Sequence, residues 1–344
     1  MAEVTERRER GTARDIARRV FGYENAALGI VLAAIIAVLA VVTGGKSTAI
    51  SNMKMVVVEG ATMGVGAIGQ MFVLLTGGID LSVAGMAFGT SALGSAMMTT
   101  QLWQNILVQH NILGYTEAAS IWVGVPAMLA MGVGLGAISG LFVSRIGVPP
   151  FIATLGMWQI AHGIGFLITG GFTIVRMVDP LRFFGQRFIY GFPVAGIIWI
   201  VVGAVVYFVL TYTTFARSTY ATGSNPVSAW LSGVNVKNTQ LSVYMISGFM
   251  AALGGLIRTA RVMSVSYSSF DFLELQTIAA AVIGGVSLFG GKGTVIGVVL
   301  GALVISVILN GMTILRADPF LESLILGVIV IAAVGIDYWR RRER

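Results

Sequence analysis

Apolar residues run through this chain in long blocks separated by short polar connections. The first block, AALGIVLAAIIAVLAVVT at residues 26–43, contains no charge. Crossing the hydrocarbon core of a bilayer as a helix takes about 20 mostly apolar residues. The pattern predicts about ten such helices, over 26–43, 56–76, 81–100, 121–144, 151–170, 192–212, 239–260, 274–290, 294–314 and 320–338. The blocks do not alternate apolar with polar residues, which argues against a membrane β-barrel. The first follows a long lead and is closed by no A-x-A-like site, so it reads as a retained span and not as a signal peptide. The predicted fold class is therefore an all-α integral membrane protein. A cytoplasmic N-terminal segment (1–25) precedes a transmembrane domain (26–338) whose longest inner connection is 213–238, and a basic tail (339–344) follows.

Composition sharpens this. Hydrophobic residues make up 56% of the 344 and charged ones 11%, against about 25% charged in an ordinary soluble domain. A soluble enzyme, a disordered chain and a secreted disulfide scaffold are excluded. The 45 glycines are about twice the usual share, as close packing of lipid-embedded helices requires.

The net charge of +7 raises the question of a polyanion partner, and its placement answers it. Residues 1–25 carry six arginines against five acids, and Arg340, Arg341, Arg342 and Arg344 crowd the C-terminus. No continuous basic stripe exists, so no nucleic-acid partner is expected. The positive-inside rule puts both termini in the cytoplasm, beside anionic lipid. With ten spans, 14 basic residues fall inside and 8 outside.

Several short patterns are decoys. GVGAIG at 64–69 has the spacing of a dinucleotide fingerprint but lies inside an apolar block with no strand before it. GGKS at 44–47 resembles the end of a P-loop, but Ala40 stands where its first glycine belongs. No nucleotide site, and so no cofactor, is expected on this chain. With no cysteine and only His110 and His162, no metal site is expected, and no nucleophile–base pair suggests catalysis. The spacing Gly-x-x-x-Gly recurs at Gly60/Gly64, Gly85/Gly89, Gly132/Gly136/Gly140 and Gly293/Gly297/Gly301, which reads as helix–helix contact.

Ionisable residues near or within the spans are the candidates for chemistry, because a charge in lipid must face protein, water or a partner. Glu59 and Asp80 bracket the second predicted span, Glu274 opens the eighth, and Asp271 and Glu322 lie near outer ends. Asp80 and Glu274 suit helix capping and interhelical bonds, with direct contact to a solute as the alternative. His162 shares a helix with Trp158 and Gln159 and either bonds a neighbouring helix or lines a polar pathway.

The connection TTFARSTYATGSNPVSAWLSGVNVKNT, residues 213–239, is the most informative loop. Ser224 or Asn225 can cap a helix that starts at Pro226, and Gly233 ends it. Such a short helix with Trp230 and Leu231 on one face suits either a docking contact for a cytoplasmic protein or an interfacial anchor.

Three stretches now carry a resemblance: LTGGIDLSVAG (75–85), ATGSNPVSAWLSGVNV (221–236) and ELQTIAAAVIGGVSLFGGKGTVIG (274–297), with PPFIATLGM (149–157) as a fourth. In this order they resemble the signature stretches of bacterial ABC-transporter permeases of the ribose/xylose/galactose type. The resemblance implies a multi-pass inner-membrane subunit that pairs with a second permease, identical or not. It further implies a cytoplasmic ATPase that binds ATP and Mg, and an extracytoplasmic sugar-binding protein. The matching stretch implies ATPase coupling through Gly223, Ser224, Asn225, Pro226, Ala229, Leu231, Ser232, Gly233 and Asn235. Pro226 and Trp230 stand where relatives often have polar or charged residues, and Ala84 where the pattern has Gly. Hydroxyl-rich solutes need hydrogen-bonding and aromatic groups, which makes Gln70, Asp80, Ser82, Ser91, Trp158, Gln159 and Glu274 the candidates for a translocation pathway. A branched-chain amino acid ABC permease and an ion-coupled secondary transporter are the alternatives.

Overall fold

A computed structural model describes residues 23–110 and 117–342. The expected N-terminal segment lies outside these residues up to position 22, as do the last two residues of the basic tail.

Helices α1 (Tyr23–Val42), α2 (Ile50–Leu75), α3 (Val83–Met98), α4 (Ile121–Leu141), α5 (Pro150–Thr169) and α6 (Val194–Tyr212) come first. Two short helices follow, α7 (Thr214–Ser224) and α8 (Pro226–Leu231), and then α9 (Val236–Val262), α10 (Leu273–Ile283), α11 (Val295–Ile314) and α12 (Pro319–Arg342). Among the described residues, seven helices are long and apolar enough to cross a membrane: α1, α2, α4, α5, α6, α9 and α11. Val83–Met98 and Phe320–Ala332 are shorter apolar stretches. The chain is thus an all-α membrane protein.

Local chemistry explains most boundaries. Pro150 opens α5 and Gly170, at φ 60°, ends it. Thr294 caps α11 by accepting from Gly297 N at 3.1 Å. Two boundaries differ from expectation. Helix α2 starts at Ile50 and not at 56, so Glu59 sits within the helix and not at its edge. Helix α10 is an eleven-residue helix that stops at Ile283, where the apolar pattern predicts continuation to 290. Gly285, Gly290 and Gly291 all take positive φ and turn the chain away, a break that apolar periodicity cannot register because Val286, Leu288 and Phe289 continue the pattern. Eleven residues rise only about 16 Å, roughly half the thickness of the hydrocarbon core.

Helix α2 is the centre of the bundle. It packs on α9, α11, α10 and α6, and Gly60–Leu75 is buried throughout. Helix α3, also buried, is held by α4, α5 and α9. Large apolar residues point outward on α1, α5 and α6, among them Ile30, Leu167 and Ile200, as a lipid-facing surface requires. Glycines set the tightest contacts. A Cβ on Gly132 of α4 would press on the Gly248 carbonyl of α9 and come within 2.6 Å of the Ala252 Cβ. A Cβ on Gly85 or Gly89 of α3 would reach the carbonyl oxygens of Trp158 or Ala161 on α5 at 2.5 Å.

The connections divide between two ends. At one end, strand β1 (Ile174–Val175) pairs antiparallel with β4 (Ser264–Val265), and Thr99 bridges to Met177. A hairpin of β2 (Phe188–Ile189) and β3 (Phe192–Pro193) completes this cap. At the other end, residues 76–82, the α7–α8 segment and the loop 284–294 meet.

Candidate functional site

The α7–α8 segment is a helical corner held by asparagine caps. Asn225 Oδ1 accepts from Ser228 N at 3.0 Å and starts α8, with Pro226 in the first turn. Asn235 Oδ1 accepts from Asn238 N at 3.0 Å and starts α9. Between the two, Gly233 takes φ 85°, with open space around it. Of the two caps the sequence allows for α8, Asn225 is the one used, while Ser224 Oγ donates to Tyr220 O at 2.9 Å. Helix α8 buries Ala229 and presents Val227, Trp230 and Leu231 at 65%, 66% and 72% exposure.

Gly223 joins this corner to the bundle. A Cβ there would overlap the Leu75 carbonyl oxygen at the end of α2 and lie 2.7 Å from Gly291 N. Gly291 N itself donates to Leu75 O at 3.0 Å, and Tyr220 Oη donates to Gly293 O at 2.9 Å. Burial raises the Tyr220 phenol above its ordinary pKa, so it stays a donor. The end of α2, the corner and the loop after α10 therefore meet backbone on backbone.

Asp80 lies in the turn between α2 and α3, fully buried. Its Oδ1 accepts from Ser82 N at 2.9 Å and from Ser82 Oγ. Its Oδ2 accepts from Ser247 Oγ of α9 at 2.7 Å. Gln70, with its carboxamide oriented to suit, donates to Asp80 O at 2.9 Å and accepts from Asp80 N at 3.2 Å. Burial raises the carboxyl above its ordinary 3.8, against the pull of the Ser247 and Ser82 hydrogen bonds. Three sequence-predicted pathway residues, Gln70, Asp80 and Ser82, thus form one interhelical knot and line neither cavity described next. Ser91 is buried on α3 with no hydrogen-bond partner for its hydroxyl, beside Gly255 of α9. Gln159 is exposed on α5.

Two cavities open toward the strand-capped end. The larger, about 640 Å³, is lined by polar residues that include Asn52, Glu59, Arg258, Arg261, Gln276 and Asn310. Glu59 pairs closely with Arg261 and lies 3.6 Å from Arg258. Asn52 and Asn310 exchange amide hydrogen bonds of 2.8 and 3.1 Å. Sequence reasoning noted these charges singly, because the partners lie on α2 and α9, 202 residues apart.

The smaller cavity, about 240 Å³, lies between Ala84 of α3, Trp158 and His162 of α5, Tyr267, and Glu274 of α10. It shares Phe270, Asp271 and Phe272 with the larger one. The His162 ring lies 4.7 Å from that of Trp158 and 4.9 Å from that of Tyr267, centroid to centroid. His162 is only 7% exposed, and neither of its ring nitrogens has a hydrogen-bond partner, nor does Glu274 Oε2. Trp158 and Glu274 come together here, as sequence candidates for one pathway. Tyr267 joins them from the connection between α9 and α10, where a tyrosine carries no sequence pattern of its own. No group of three or more His, Asp or Glu that could hold a metal occurs among the described residues.

Comparison with known proteins matches residues 52–334 to the family described as "Branched-chain amino acid transport system / permease component". The chain is 35% identical over 322 residues to the fructose import permease protein of Rhizobium meliloti, covering 91% of this chain and 85% of that one. It is 31% identical over 314 residues to the ribose import permease protein of Escherichia coli K12, covering 90% and 92%. To the D-allose transport system permease protein of the same strain it is 33% identical over 308 residues, covering 89% of each. No solved structure matches. A bundle of lipid-facing helices, a buried glycine-packed centre and relatives of this kind over nine-tenths of the chain agree with the motifs: the protein belongs to the bacterial ABC-transporter permease family that includes these sugar import permeases.

Proposed function

We propose that this chain is the membrane-spanning subunit of an ATP-driven importer for a monosaccharide or similar small polar solute. A binding protein delivers the solute from outside, a second permease subunit completes the pathway, and a separate ATPase binds ATP and Mg. Ten helices, α1–α6 and α9–α12, are assigned to the membrane, with α10 as a half-length element. Non-helical backbone at membrane depth is tolerated where protein covers it, and the loop after α10 lies against α2 and α7. An even number of spans puts both termini on one side, and the bias in basic residues makes that side cytoplasmic. The strand-capped end, with both cavities, then faces outward.

One observation carries the coupling reading: the exposed Val227–Trp230–Leu231 face of α8 stands on a corner wedged by Gly223 against the end of α2. A partner that moves α8 moves α2, the central helix, and the loop that positions α10 and α11. Closing of the ATPase halves would thereby shift the bundle between inward- and outward-open states. The solute biases that equilibrium only through different affinity for the two states.

The description of the matched family supports a second reading, a branched-chain amino acid as solute, whereas the relatives named above carry sugars by name. ATP-driven uptake by the complete complex in proteoliposomes separates the two. Uptake of a labelled monosaccharide, competed by other sugars and not by leucine, is expected. Uptake of leucine with none of any sugar would overturn the proposal. Uptake by this chain alone, driven by an ion gradient, would overturn the ABC mechanism.

A further inference from the structure

We infer that the β2–β3 hairpin is a membrane foot, an interfacial element whose aromatic side chains sit in phospholipid at the strand-capped end. The inference rests on the membrane-spanning fold and not on the identity of the solute.

The tip of the hairpin is strained. Ile189 pairs with Phe192, and Tyr190 and Gly191 between them turn the chain at φ 47° and 80°. Asn-Gly is the usual sequence for a two-residue turn of this kind, because both positions need positive φ. A tyrosine is strained there in a way that asparagine largely escapes. Tyr190 is fully exposed, so no packing within the chain offsets the strain. A strained residue that the fold does not itself use points to a contact outside it.

The surroundings identify that contact. Residues 186–192, QRFIYGF, contain no acid and are exposed throughout. Side chains alternate along a strand, so Phe188 and Ile189 lie on opposite faces of the hairpin, and both are exposed. A protein partner covers one face of a hairpin, whereas lipid surrounds both. The hairpin also runs straight into a lipid-facing helix. Val194 N donates to Arg187 O at 2.9 Å and opens α6, and a Cβ on Gly196 in the first turn would meet the Phe192 ring at 2.8 Å. Ile200 and Val201, about 9 Å further along the helix, belong to the outward apolar surface. The hairpin therefore stands where hydrocarbon gives way to headgroups, the level at which tyrosine is enriched. Two cations suit the phosphates there. Lys54 Nζ lies 5.4 Å from the centroid of the Phe188 ring, Arg187 opens the strand, and neither pairs with an acid among the described residues.

The foot is joined to the bundle. Gln186 Nε2 donates to Arg261 O at 2.7 Å at the end of α9, and a Cβ on Gly185 would overlap the Arg261 amide nitrogen. Arg261 in turn pairs with Glu59 of α2. Lipid contact at the hairpin thereby fixes the depth at which the α2–α9 wall of the larger cavity meets the interface.

The test uses the absence of cysteine from this chain. Tyr190→Cys and Ile189→Cys, one on each face, carry a nitroxide in the full permease–ATPase complex, reconstituted in vesicles of phosphatidylethanolamine and phosphatidylglycerol. Ile200→Cys is the lipid-facing reference, free label in buffer is the aqueous one, and the wild-type complex taken through the same labelling gives the background. Power-saturation EPR compares access by oxygen, which concentrates in lipid, with access by a water-soluble nickel chelate. ATP turnover at the wild-type level checks that each labelled complex is assembled. The oxygen-to-nickel ratio at both hairpin positions should lie closer to that at Ile200→Cys than to that of the free label. A ratio at either position equal to that of the free label overturns the foot. A label that is open to nickel in vesicles and becomes immobilised only when the binding protein is added also overturns it, and makes the hairpin a protein-docking loop.

Discussion

Gly223→Ala tests the coupling corner most directly. The added Cβ would overlap Leu75 O and lie 2.7 Å from Gly291 N and 2.8 Å from Leu75 C. Every one of these neighbours is backbone, so no side chain can swing aside. Restoring ordinary contact near 3.4 Å means moving α7 away from the end of α2 by more than an ångström. Overpacking of this kind costs about 1–3 kcal/mol, and loss of the Gly291–Leu75 hydrogen bond adds about 1 kcal/mol. Because Gly223 lies in α7, alanine returns up to about 1 kcal/mol of helix propensity. The net is a destabilisation of about 1–3 kcal/mol, a fall in unfolding midpoint of several degrees. Function should suffer more than stability, because the wedge is the link itself. In proteoliposomes holding the whole complex, solute imported per ATP hydrolysed should drop at least about tenfold while ATP turnover continues. Gly147→Ala is the control: it turns the chain between α4 and α5, also at φ 85°, and a Cβ there meets nothing. It costs only the left-handed strain, about 1–2 kcal/mol, and should leave the import-to-ATP ratio near wild type. A Gly223→Ala complex with normal midpoint and normal ratio would refute the wedge, and so would equal damage from Gly147→Ala.

Three further outcomes are expected. Asp80→Asn keeps the acceptor for Ser82 and removes the charge; since burial raises the Asp80 pKa, the native state holds that proton to higher pH than the unfolded chain. The wild type should therefore lose stability relative to Asp80→Asn as pH rises from 4 through the raised pKa, and a midpoint difference that is flat or grows in favour of wild type would contradict this. Replacing both Trp230 and Leu231 by Ser removes exposed apolar area from α8; co-purification of the ATPase should fall about tenfold or more with the permease midpoint unchanged within a degree or two, and undiminished co-purification would show that α8 is an anchor in the lipid interface. Gly132→Val should separate α4 from the Gly248 carbonyl and Ala252 of α9 and destabilise by about 1–3 kcal/mol, read as a lower unfolding midpoint; an unchanged midpoint would mean that the helices do not pack there.

Apolar block length determined the class of this protein without help from its fold. So few charges cannot clothe a soluble surface, and runs of that length have one solvent in which they are stable. Helix α8 was equally legible, because the Asn-Pro start and the Gly233 end act within one turn of chain. The break of α10 at Ile283 was not, since it depends on left-handed glycines inside a pattern that stays apolar.

Tertiary structure decided which candidates meet. Gln70, Asp80 and Ser82 bond one another and, through Asp80, Ser247 of α9. Trp158 and Glu274 are 116 positions apart in the sequence, and the same cavity gathers them with His162 and Tyr267. Glu59 meets its arginines only because α2 and α9 pack side by side. Apolar runs and caps are local, set by a residue and its neighbours within a turn or two. A cavity wall belongs to several helices at once, and their glycine-to-carbonyl contacts choose which side chains face one another.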